Sequence, residues 1–63
     1  MNDLIKSAGE RIKYNVDLMV KAAQRGDPLE AQRFQRNIVM MMQDVDEAVK
    51  FGNSDILETY KGW

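Results

Sequence analysis

Sixty-three residues make one domain at most, and a chain of that length buries only ~60% of the surface its unfolded form exposes, so its own stability is marginal. The absence of cysteine excludes disulfides, and the absence of histidine as well argues against a structural zinc site and against the commonest catalytic bases and nucleophiles. Nine basic and ten acidic residues leave a net charge of −1, which demands neither a polyanion nor an anionic membrane as partner.

The spacing predicts a first helix over residues 3–25. Ile5, Ala8, Ile12, Val16, Met19 and Ala23 recur at the helical intervals of three and four, and Leu4, Leu18, Val20 and Ala22 widen that stripe. Two starts compete: Asn2 as the cap of a helix that begins at once, or Ser7 as the cap of a box closed by Glu10. The early start keeps Leu4 and Ile5 in the stripe. It places Gly9 inside the helix at a cost of ~1 kcal/mol relative to alanine, either to permit a close helix approach or because the first turn frays. Asn15 occupies a strict heptad position, where a polar residue can fix register, unless the 3.6-residue period turns it to the rim.

Arg25-Gly26-Asp27-Pro28 sets a stop signal against a start signal. Gly26 suits the left-handed residue that ends a helix, and Asp27 suits the cap of the next one. Pro28 suits a first helical turn, where its missing N–H costs nothing, and Glu30 completes a capping box with Asp27. A turn over residues 26–27 joins antiparallel neighbours. Arg25-Gly26-Asp27 also spells an integrin-binding triplet, but without secretion signals the helix cap is preferred.

The second helix is predicted over residues 28–51. Ala31, Phe34, Ile38, Met41, Val45 and Ala48 form an uninterrupted heptad seam. The run Ile38-Val39-Met40-Met41-Met42 points all the way round the axis, because successive helical residues are ~100° apart. A helix that is apolar all round must be covered on more than one side. Gly52 closes this helix, and a short last helix is expected over residues 54–61, carrying Ile56, Leu57 and Tyr60, with Trp63 beyond it. Pairing the helices about Gly26 sets opposite each other residues whose numbers sum to about 53, placing Asp17 near Arg36 and Lys6 near Glu47.

The expected fold class is therefore all-α: an antiparallel helical hairpin with a short C-terminal helix, a single domain over residues 1–63. Two helices hide only the seam between them, so two hairpins are expected to dimerise into a four-helix bundle, while the C-terminal segment folds back to cover one edge with Ile56, Leu57, Tyr60 and Trp63. In length, mid-chain turn and heptad seam the chain resembles the plasmid repressor-of-primer family, dimeric hairpins that bind paired RNA loops. The segment Gln24–Arg36 is also similar to the hairpin turn of co-chaperones of type III secretion needle subunits. Both are likenesses of architecture, and no functional residue is carried over from either.

The function expected is that of a small non-enzymatic protein-binding module, such as an inhibitor, adaptor or assembly factor of a bacterium or its phage. It would act as a homo-oligomer, most simply a dimer, on a protein target. Val39, Met40, Met42, Leu57, Tyr60 and Trp63 are the expected contact residues, since Trp, Tyr and Met are enriched at interface cores and adjacent thioethers adapt to varied surfaces. A second reading is nucleic-acid binding by Lys21, Arg25, Arg33 and Arg36 at the turn end, set against a pI near 5.2 and the nearby Asp27 and Glu30. A third is a structural subunit of a larger assembly. Asp44, Asp46 and Glu47 read as a solvated acidic face, and no cofactor or metal is expected. The longest apolar run is far below the ~20 residues that span a bilayer. The opening residues lack a basic region ahead of an apolar stretch, so the expected location is cytoplasmic.

Overall fold

A computed structural model describes residues 3–60. Helix α1 spans Asp3–Gln24, α2 spans Pro28–Phe51, and a short 3-10 helix spans Ser54–Tyr60, with no strand among the described residues. α1 and α2 pack side by side in a body of 39 × 15 × 15 Å, and the 3-10 helix lies against both. α1 is already helical at Asp3, so Ser7 lies within it, and the competing cap Asn2 lies outside the described residues. A Cβ on Gly9 would meet nothing within 4 Å, so no close approach within the chain requires that glycine.

The turn follows from its hydrogen bonds. Gly26 takes a φ of 76°, in the left-handed region that glycine adopts without steric cost. Its N–H donates to the Ala23 carbonyl at 3.0 Å, and the Asp27 N–H donates to the Ala22 carbonyl at 3.0 Å, the paired bonds of a Schellman ending. Asp27 then caps α2, its Oδ1 accepting the Glu30 N–H at 3.2 Å. The reciprocal half of the expected capping box is not made, because the Asp27 N–H is already committed to Ala22. Glu30 pairs instead with Arg33 at 3.4 Å.

The seam of α2 lies where its periodicity placed it, with Ile38, Met41 and Ala48 buried and Ala31, Phe34 and Val45 partly so. The seam of α1 is rotated from the expected stripe. Its buried positions are Ala8, Asn15 and Ala22, seven residues apart, while Val16 and Ala23 are exposed. The physical reason is size: small side chains on one helix leave room for Ile38, Met41 and Val45 on the other. Asn15 is 3% exposed, and its Nδ2 donates to the Arg11 carbonyl at 2.8 Å, so it sits at the seam rather than on the rim.

The expected ion pairs between helices do not form. Asp17 pairs with Lys21 at 3.1 Å within α1 rather than with Arg36, and no pair joins Lys6 to Glu47. Neighbours four apart on a helix meet at less entropic cost than side chains reaching across a hairpin.

Gly52, with φ 65°, ends α2. The chain then turns back in a 3-10 helix whose first turn is tied by the Asp55 N–H to Asn53 Oδ1 at 3.3 Å. With three residues per turn, Leu57 and Tyr60 eclipse each other and enter the core along one line. Together with Ala8, Met41 and Ala48 they form the buried cluster, flanked by Leu4, Ile5, Ile12, Val45 and Ile56.

Candidate interaction surface

One side of the helix pair carries an open groove of 720 Å³ at the turn end. Met19, Val20 and Ala23 of α1 line it, facing Pro28, Ala31 and Gln35 of α2. Residues three, four and seven apart share a helix face. Val16, four before Val20, therefore continues the groove wall along α1. Val39 and Met42, four and seven beyond Gln35, continue it along α2, and Val49 lies seven beyond Met42. All of these stand exposed, Met42 at 56% and Val49 at 63%, so the groove continues along the hairpin as a mainly apolar face that also carries the exposed Asp46–Lys50 ion pair.

The 3-10 helix covers the opposite side. Tyr60 donates its hydroxyl hydrogen to Asp44 Oδ2. Asp44 is two residues from Met42, hence ~160° round α2 from the apolar face. Burial first, and the Asp44 carboxylate second, push the Tyr60 hydroxyl pKa up to about 12. Nothing in the spacing of the sequence announced this contact, because Asp44 read as one of three solvated acids. Of the other two, Asp46 pairs with Lys50 at 3.0 Å and Glu47 is exposed. Among the described residues no group of three metal-ligating side chains converges.

The expected contact residues divide. Val39, Met40 and Met42 are exposed. Leu57 and Tyr60 are turned into the core, because a chain this small uses its last helix to close one side of the seam, which removes them from any accessible surface. Trp63 lies outside the described residues. Met40 is ~160° round α2 from Met42, as Tyr14 is round α1 from Val16, so these two stand on the other side of the pair. Val16, Val20 and Val49 were not among the expected contacts. The signal for them was the handedness of the two helices, which fixes which flanks come together.

The turn-end cations are all exposed. Lys21 is neutralised by Asp17 and Arg33 by Glu30, with the Arg33 guanidinium also 5.8 Å from the Phe34 ring centroid. Arg25 and Arg36 form no ion pair among the described residues. No helix of the described chain is long and apolar enough to cross a membrane. No protein-family model matches this chain, and neither a curated protein nor a solved structure matches it.

Proposed function

We propose that this protein is a small non-enzymatic binding module that works by helix-on-helix contact, self-associating and presenting apolar side chains to a protein target. One observation carries the reading: exposed apolar residues stand on both sides of the hairpin beyond what the 3-10 helix covers. Val16, Val20, Val39, Met42 and Val49 line one side, and Tyr14 and Met40 stand on the other. Contiguous apolar surface of this extent on a small soluble chain marks a contact site. Self-association uses the long face, which leaves Met40 and Tyr14 for the target. Methionine and tyrosine suit that role, one adaptable and one rigid with a polar tip. An inhibitor, an adaptor or an assembly factor would each use such a surface.

The test is affinity capture from the native host with wild-type and Met40→Glu chains in parallel, with and without nuclease. A protein held by the wild type, released by Met40→Glu and unaffected by nuclease supports the reading. Release by nuclease would overturn it in favour of nucleic-acid contact through Arg25 and Arg36. Circular dichroism of Met40→Glu checks that the helices persist.

A further inference from the structure

The long face carries a groove at the turn end and the exposed side chain of Val49 towards the other. We propose that its occupant is a second copy of this chain, packed head to tail by a two-fold rotation, so that Val49 of each copy enters the groove of the other. This rests on the self-association read above and goes beyond it by fixing the orientation and the pairing.

The levels along the rod decide the orientation. α2 runs from Pro28 to Phe51, so its midpoint falls between Val39 and Met40. At 1.5 Å per residue, the groove wall from Gln35 to Pro28 lies ~7–17 Å from that midpoint, and Val49 lies ~14 Å on the other side of it. A half-turn about an axis through the midpoint, across the face, therefore brings Val49 of the second copy into the span of the groove, level with Ala23 and Ala31. It also sets Val39 against Val39. The same rotation brings Asp46 of one copy to the level of Gln32 and Gln35, whose amides donate to a carboxylate. Lys50 arrives near the level of Asp27.

With the two turns at the same end, the grooves would lie on each other and enclose a void, and the apolar part of its lining forfeits its packing contacts. A face of 39 × 15 Å offers at most roughly 600 Å² per copy, so two faces fully covered approach the ~1,200 Å² lower bound of stable specific interfaces.

The chain contains no cysteine, so single substitutions report position cleanly. A short thiol-specific cross-linker is applied to Val39→Cys alone, to Val49→Cys mixed with Ala23→Cys, and to Val16→Cys mixed with Val39→Cys. Helix content is measured first; where Val39→Cys lowers it, the exposed pair Gln35→Cys and Met42→Cys serves in its place. Head-to-tail packing predicts that Val39→Cys links to itself, and Val49→Cys to Ala23→Cys, at least tenfold faster than Val49→Cys to itself. Linkage of Val16→Cys to Val39→Cys as the fastest product would overturn the orientation. No linkage, with a single-chain mass by light scattering, would overturn the second copy as occupant. That result leaves capture through Met40 to judge the binding module separately.

Discussion

Met41 and Met42 are adjacent in sequence and opposite in circumstance, which makes a paired substitution informative. Met41 is 0% exposed and packs with Ala8, Ala48, Leu57 and Tyr60. Removing a buried methionine side chain costs ~2–5 kcal/mol, and the cost is greatest where the surroundings cannot collapse into the space. Two of the neighbours are alanines on helix backbones, with no side chain to swing inward, so Met41→Ala should lie in the upper half of that range. A chain of this length has roughly 3–9 kcal/mol of stability in all, at 0.05–0.15 kcal/mol per residue. Met41→Ala should therefore remove a third of it or more. Met42 leaves over half its surface in solvent, so Met42→Ala should cost about 1 kcal/mol or less within one chain. Urea titration followed by circular dichroism, at a concentration low enough to keep chains apart, measures both. Equal losses would refute the assignment of Met41 to the core and Met42 to the open face.

Gly9→Ala should stabilise the chain by about 0.5–1 kcal/mol in a thermal melt, because the added Cβ meets nothing within 4 Å and glycine is a poor helix former; destabilisation would mean that something packs there. Asp27→Ala should cost about 1 kcal/mol through loss of the cap bond to the Glu30 N–H, whereas Glu30→Ala should cost under ~0.5 kcal/mol, since no return bond exists to lose; equal effects would restore the full capping box. The Tyr60 hydroxyl has its folded pKa raised from 10.0 to about 12, so it contributes stability that is complete below pH 10 and lost as pH rises towards 12. At 1.36 kcal/mol per unit, discounted for solvent screening of the hydroxyl, that contribution is at most about 2 kcal/mol. Tyr60→Phe should flatten the fall in denaturation midpoint between pH 10 and 12, and an unchanged profile would contradict burial of that hydroxyl.

The second helix was legible in the sequence because every residue of its seam is apolar and the period never slips. The turn was legible because Gly26, Asp27 and Pro28 each have one strong local preference. The first helix misled by a rotation. A reading weighted by hydrophobicity favours Val16 and Ala23 over Asn15, while packing against bulky partners selects small side chains at Ala8, Asn15 and Ala22. Side-chain volume across the pair carries that information, and single-helix periodicity does not. The apolar face was half legible. Val39 and Met42 stood out by excess, but their alignment with Val16 and Val20 depends on how two right-handed helices meet. Tyr60 and Leu57 looked like contact residues because aromatic and aliphatic side chains near a chain end suit either a core or a partner. The 3-10 geometry resolves them into the core.

The concentration dependence of the melting temperature tests most directly whether the hairpin leaves a face that needs covering. For a two-chain native state, a hundredfold rise in concentration contributes about 2.7 kcal/mol per dimer, near 1.4 kcal/mol per chain, worth roughly 5–10 °C for a domain of this size. The wild type should show that rise, and Val39→Glu with Met42→Glu should abolish it. A melting temperature that stays constant across the range, with a single-chain mass at its upper end, would show that one hairpin satisfies its own apolar surface.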